Sequence, residues 1–456
     1  MIRRAKGALA ACLASGAGRC GQRRQRGQVL AFLLMLMAAL LGSLLYVFNS
    51  GQIVVAKVRL IGAADAAAYS AAQWQARSLN FQAYMNRAIV ANEVAIAQLV
   101  SLRSWSGYMN QALQEAATVG TAVPPLAASL HTLSRGWTAI NRGLQRALPP
   151  LEAAASHWNV DVLSRAEYLA DAQTTALVER LAHEIAVANV PELGPGGAGR
   201  VFAATNAAHW HGLTEGHGRA ANERARLREV VLASRDGFTR ARRWTLGVPP
   251  LLSVRKRGGT DLIGYDSWRG MDTLALRVPV LFGSGEQPLA WDAAENQRHA
   301  EPARGDHGGS YRDNPRSSRN AARELLARRG YAGLPAFRDV RVSRDNGNPS
   351  LRYELELRQP GATIATSDVV MGGPATVVPG EEPKIVVPAY HSNAAYALSA
   401  ARVYFRRPIG RADRRQEWAN LFNPYWQARL APVTHPQRLL AAAARGGAAD
   451  PYAVLP

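Results

Sequence analysis

A run of apolar residues from Val29 to Phe48, VLAFLLMLMAALLGSLLYVF, constrains this chain more than any other feature. Twenty such residues in a helix reach about 30 Å, the hydrocarbon thickness of a bilayer. A helix on a soluble core shows polar residues every third or fourth position, and here only Ser43 interrupts. The stretch without Asp, Glu, Lys or Arg continues to Ala56, and no other segment of the 456 residues is apolar enough to span a membrane. The sequence therefore predicts one transmembrane helix over 27–48, with the bilayer as its first partner.

Charge orients that helix. Arg3, Arg4, Lys6, Arg19, Arg23, Arg24 and Arg26 precede the span with no acid among them, whereas only Lys57 and Arg59 follow closely. Basic residues next to a span stay on the cytoplasmic side, so the N-terminus is expected inside and the remainder outside. A cleaved signal peptide has a shorter apolar region and an A-x-A-like site, and YVFNSGQ is a poor one. A retained single-pass anchor is the expectation. Cys12 and Cys20 both lie in the leader, which excludes a disulfide framework beyond it. The chain carries 54 Lys+Arg against 34 Asp+Glu, and arginine supplies nearly all of the excess. With abundant alanine this reflects GC-rich coding as much as an anionic partner, and no nucleic acid is expected to bind.

The predicted fold class is α+β: the span continues into a long helical stalk or bundle, and a small α+β domain follows. The boundaries read as a basic leader over 1–26, the span over 27–48, helices over 49–245, an α+β domain over 246–440 and a flexible tail over 441–456. Residues 53–117 lack proline and are rich in helix formers, with Asn49, Ser50 and Gly51 as a weak point. Pro124-Pro125 and Pro149-Pro150 are expected to break the helices. In the second domain, strands are expected at 336–343 and 351–358, joined as a hairpin through Asp345-Asn346-Gly347-Asn348. A mobile loop is expected over 292–320, a helix over 321–329, a strand over 385–387 and a helix over 394–401.

The order Arg26-Gly27-Gln28, apolar run, Ala56-Lys57-Val58-Arg59-Leu60, then Ala63-Ala64-Asp65-Ala66-Ala67-Ala68 resembles the N-terminal segment of Tad (Flp) pilus-assembly proteins of the TadE/TadG-like type. Ala400–Pro408 and Leu421–Leu430 look like stretches found in larger bacterial proteins with this anchor. The resemblance implies a bacterial inner-membrane protein whose partners are other pilus-machine membrane proteins or pseudopilins, with a homo-oligomer possible. It singles out Gly27, Phe32, Gly42, Ala64, Asp65 and Ala68 as positions that pack in the membrane or against a partner helix; small residues let helix backbones approach closely. Two departures from the family shape the expectation. Prepilins are cut after a glycine and carry glutamate five residues on; a cut after Gly27 would place Phe32 there, which disfavours incorporation into a filament. The Asp-x-Ser-x-Ser metal motif of adhesion-type domains is absent, Asp266-Ser267-Trp268 having the wrong spacing.

Catalytic signals are few. No G-x-S-x-G elbow, phosphate-binding Gly-Lys-Ser/Thr loop or dinucleotide fingerprint occurs, so no enzyme activity and no cofactor are expected. His209, His211, Glu215 and His217 form the densest group of potential metal ligands, but they match no zinc spacing and read as a solvated, glycine-containing loop. Arg240, Arg242, Arg243 and Arg255, Lys256, Arg257 form basic clusters, and Arg103 to Tyr108 and Tyr425-Trp426 mix aromatic with basic residues; surface charge and core aromatics explain both. The expected function is non-catalytic, in assembly or anchoring of a Tad-type pilus or related secretion system. The alternatives are an envelope-binding module for peptidoglycan or polysaccharide and, third, a periplasmic hydrolase.

Overall fold

The computed structural model describes residues 28–122, 124–196, 198–218, 220, 223–248, 252–280, 283–299, 305, 307–325, 327–341, 348–366 and 394–445. The chain divides into two compact units, one of residues 1–60 and 359–395 and one of 61–358 and 396–456. In the first, the described part is chiefly the apolar beginning of helix α1, whose large side chains face outward from Val29 to Phe48.

Helix α1 (Gln28–Gly120) runs through Asn49, Ser50 and Gly51 without interruption. Pro124 then opens α2 (Pro124–Trp158), where its missing N–H costs nothing and its fixed φ suits a first turn. Contrary to expectation, Pro149 and Pro150 do not end α2. An internal proline costs about 3 kcal/mol or more, and tertiary ties on both sides of the pair offset it. Gln145 Nε2 donates to the Arg103 carbonyl, and the Arg103 guanidinium meets the Glu152 carboxylate at 3.0 Å.

A π-helical segment (Asn159–Ser164) and α3 (Arg165–Asn189) continue the path. The bonds joining this path to α1 descend one helix as they climb the other: Trp137 to Ser106, Gln145 to Arg103, Asn159 to Glu93 and Thr174 to Ser78. The two paths therefore form an antiparallel helical hairpin.

Short elements follow: β1 (Ala198–Gly199), α4 (Ala203–Leu213), β2 (Thr214–His217), α5 (Ala225–Ser234) and α6 (Gly237–Arg240). Residues 49–245 thus contain strands as well as helices. The five-stranded sheet is an antiparallel meander of β3 (Trp244–Val248), β4 (Leu252–Ile263), β5 (Ser267–Val280) and β6 (Gly283–Gln297), closed by β7 (Ala327–Arg329) parallel to β6. Between β6 and β7 lie α7 (Ser310–Asp313) and α8 (Pro315–Glu324).

These elements correct the expected loop over 292–320, since β6 continues to Gln297 and helix resumes at Ser310. Residues 300–304 and 306 lie outside the described residues. The first turn of α8 is held from a distance: the Glu286 carboxylate accepts the N–H groups of Arg316 (2.7 Å) and Ser317 (2.8 Å), an anion placed at a helix N-terminus. The helix expected over 321–329 ends at Glu324 and gives way to β7.

Strand β8 (Phe337–Val340) pairs with β2, and β9 (Ser350–Pro360) enters the four-stranded sheet β1-β9-β10-β11 with β10 (Ala394–Phe405) and β11 (Trp426–Ala431). The expected β8–β9 hairpin is therefore not formed, and Asp345, Asn346 and Gly347 of its turn lie outside the described residues. The helix expected over 394–401 is part of β10: Ala397, Ser399, Ala401, Val403 and Phe405 are buried at alternate positions, and pairing with β11 overrides alanine's helix preference. Helix α9 (His435–Ala444) opens with a capping box between Thr434 and Gln437. The leader 1–26, the strand expected over 385–387 and residues 446–456 lie outside the described residues.

The principal core joins α1 to the sheets. Ile89, Ile96 and Val100 of α1 pack with Leu163, Leu227, Leu262, Trp268, Leu334 and Phe337. Each fully buried large side chain contributes about 1.5–3 kcal/mol.

Candidate functional site

The first candidate is the beginning of α1. Val29, Leu30, Phe32, Leu34, Met35, Leu44 and Tyr46 expose more than three-fifths of their surface. The Ser43 hydroxyl donates to the Leu40 carbonyl (2.8 Å), so the lone polar side chain of the run is satisfied within its own helix, as a hydrocarbon setting demands. Phe32 is 70 % exposed and Gly42 half-buried. Gly27 lies outside the described residues.

The alanine block stands in a different setting. Ala63, Ala64, Ala67, Ala68, Ala71 and Ala72 are all buried within the folded unit, and the half-buried Asp65 accepts a hydrogen bond from Ser399 Oγ of β10 (2.6 Å). Farther along the same face, Asn80 exchanges two bonds with the Trp426 backbone, and the Asn86 amide donates to the Arg338 and Leu421 carbonyls. The small residues thus bring α1 close to strands of its own chain.

Residues 27–74 match the Tad family, Flp pilus-assembly TadE/G-like. No curated protein and no solved structure matches the chain. The Tad match covers the exposed apolar run and the alanine block together, and it supports a role in pilus assembly, membrane localisation and pilus-machine components as partners.

Beyond the Tad segment, α1 carries a second site that sequence reasoning passed over. Asp272 of β5 is fully buried, and its carboxylate accepts bonds from Arg242 Nε and Nη2 (each 2.8 Å), Ser104 Oγ (2.6 Å) and Lys256 Nζ. These cations hold its carboxyl below the usual range despite burial. Burial lowers the Lys256 ammonium, which also lies 4.2 Å from the Tyr108 ring centroid. The Gly270 position lets the α1 backbone approach: a Cβ there would stand 2.8 Å from Ser104 Oγ and 3.2 Å from the Val100 carbonyl.

Eleven residues earlier on α1, the buried Glu93 accepts from Trp268 Nε1 (2.9 Å), Tyr331 Oη (2.8 Å) and Asn159 Nδ2 (2.9 Å). Burial raises its carboxyl. A fixed polar seam therefore clamps α1 to the sheet. Its signal in the sequence was a line of polar residues, Asn86, Glu93, Ser101 and Ser104, on the helix face that also carries Ile89, Ile96 and Val100.

Asp292 of β6 lies cross-strand from Asp272 and occupies the space a Cβ at Gly107 would need, its Oδ2 only 1.7 Å from that position. Burial, with Asp272 adding to it, pushes its carboxyl up to about 7. Because the folded value lies above the unfolded one, Asp292 binds its proton more readily when folded, and it costs stability increasingly from about pH 4 to 7. Asp292→Asn is expected to stabilise the protein at pH 8 by about 2–4 kcal/mol and to change little below pH 4. Unfolding midpoints at the two pH values check this; an equal effect at both would contradict the protonation account.

The histidine group is divided between two elements. His209 and His211 sit on α4, Glu215 and His217 on β2, so the expected loop is helix and strand. His217 stacks on Phe337 at 4.7 Å, and His209 Nδ1 meets the Arg352 carbonyl at 3.2 Å. Among the described residues, no three His, Cys, Asp or Glu side chains are grouped to hold a metal ion.

Four members of the basic clusters are engaged internally. Arg242 and Lys256 hold Asp272, Arg257 pairs with Asp313, and Arg240 donates to the Ala233 and Arg235 carbonyls. Arg103 pairs with Glu152, and Trp426 is buried against Asn80 and Asn420.

Proposed function

We propose that this protein is a non-catalytic, single-pass component of Tad-type pilus assembly in a bacterial inner membrane, with its N-terminus cytoplasmic and the folded unit on the outer side. The observation that carries the reading is the coincidence of the Tad match with an apolar helix start that remains exposed. Every backbone N–H and C=O in the interior of such a helix is bonded within it, which is what a hydrocarbon environment requires. The basic leader sets the orientation.

Phe32 in place of the prepilin glutamate argues that the segment stays uncleaved and beside the filament. A new N-terminal charge in an apolar filament would otherwise lack its partner. The folded unit, clamped to α1 through Glu93 and Asp272, supplies contacts to other pilus-machine proteins.

A deletion strain is expected to lose surface pili and to regain them with the intact chain. Normal piliation in the deletion strain would sink the assembly role. Reporter fusions at residues 20 and 445 are expected to read cytoplasmic and external respectively, and mass spectrometry to find an N-terminus that precedes Gly27.

A further inference from the structure

Helices α1 and α3 meet strand β8 around two buried polar side chains, Asn86 of α1 and Glu167 of α3, both fully shielded from solvent. Glu167 Oε1 accepts the Arg338 N–H (3.0 Å). The Asn86 amide donates its two hydrogens to the Arg338 and Leu421 carbonyls, each at 2.8 Å. Those carbonyls fix the amide, because turning it over would set its oxygen against theirs. The Asn86 side chain also adjoins the Glu167 carboxyl. Among the described residues, Asn86 Oδ1 and Glu167 Oε2 have no hydrogen-bond partner, so this junction holds two buried acceptors that lack a donor.

The charges around the pair point the same way. On β8, the Arg338 guanidinium meets Asp171 of α3 at 3.0 Å, and Asp339 is met by Arg226 of α5 at 2.6 Å. Tyr168 of α3 donates to the His217 and Phe337 carbonyls, the His217 ring of β2 faces Glu215 at 3.8 Å, and Glu223 accepts the Gly218 N–H. Each of the two guanidiniums already faces a carboxylate, so an ionised Glu167 would add a third negative charge to two positive ones. Burial pushes the Glu167 carboxyl well above its usual range, by more than the Arg338 N–H and guanidinium pull it down.

We propose that Glu167 keeps its proton in the folded protein and donates it from Oε2 to Asn86 Oδ1, which makes the junction of α1, α3 and β8 a proton-dependent latch. With that hydrogen in place both orphaned oxygens are satisfied and no charge is left unbalanced. Opening the junction to water lets the carboxyl ionise, so acid favours the closed form and alkali the open one. The latch does not depend on the pilus reading, since every group in it belongs to this chain.

The test uses the full chain in detergent micelles. The folded carboxyl holds its proton more tightly than the unfolded one, so stability falls as pH rises from the ordinary glutamate value of about 4.3 toward the folded value. At pH 6, unfolding of the wild type is expected to release about one proton more than unfolding of Glu167→Gln. Calorimetry in buffers of different ionisation enthalpy reads that difference. Glutamine keeps the acceptor for the Arg338 N–H and turns an amide hydrogen toward Asn86, so the unfolding midpoint of Glu167→Gln is expected to exceed that of the wild type by more at pH 8 than at pH 5. Equal proton release by the two proteins, or an equal difference in midpoint at both pH values, would overturn the proposal. A measurement on the wild type alone stands beside these: an experimental structure at pH 6 is expected to place Glu167 Oε2 about 2.7 Å from Asn86 Oδ1, the distance of an O–H···O bond. A water between the two oxygens would overturn the proposal as well.

Discussion

Replacing Leu36 and Leu40 by arginine is expected to release the protein from the membrane fraction. Both residues lie near the middle of the apolar run and expose about half of their surface or more. Each arginine at the centre of a spanning helix costs about 2.5–3.5 kcal/mol, so the pair costs about 5–7 kcal/mol, or roughly four to five decades in partition. Snorkelling, which rescues a long basic side chain near a helix end, is least available there. Alkaline extraction of membranes separates the outcomes. Retention of the double variant in the pellet would mean that something other than this helix holds the chain at the bilayer. The folded unit should be unaffected, because its core residues begin beyond Leu60.

Asp272→Ala is expected to be the most destabilising single substitution in the folded unit. It removes the carboxylate bonded to both Arg242 and Lys256 and leaves two buried cations, a loss of about 3–5 kcal/mol. The pH dependence distinguishes this cause from a simple cavity. Burial already lowers Lys256 in the wild type, and removal of Asp272 lowers it further. A lysine whose folded value is depressed sheds its proton on folding, so stability rises as pH rises through that value. The deficit of Asp272→Ala should therefore shrink as pH rises toward the ordinary lysine value of about 10.4, whereas a cavity would cost the same throughout. Combining Asp272→Leu with Arg242→Met and Lys256→Met should recover most of the lost stability. Thermal unfolding of the three forms at several pH values checks both statements.

These residues also show where sequence reading stops. The apolar run and the Tad-type order of leader, apolar run and alanine block were legible because each is a local pattern: twenty consecutive apolar residues need no partner to be recognised. The α+β class was legible from the shift in composition near Trp244. Arg242 and Lys256 looked like surface charge because their neutralising partner, Asp272, is remote in sequence. Ala394–Ala401 looked helical because alanine favours helix locally, yet a place beside β11 made it a strand. Pro149 and Pro150 looked like a break, and the Arg103–Glu152 and Arg103–Gln145 ties, made by distant parts of the chain, flank the place where the helix continues past them.

By itself the sequence determined the apolar length of Val29–Phe48, the excess of basic residues before it, and that Phe32 stands where a pilin has glutamate. Tertiary structure alone decided that the alanine block around Asp65 packs into its own chain and that Glu93 and Asp272 clamp α1 to the sheet. The physical reason lies in range: hydrophobic length and flanking charge act within a few turns of helix, whereas a buried carboxylate is defined by donors that the fold gathers from distant parts of the chain.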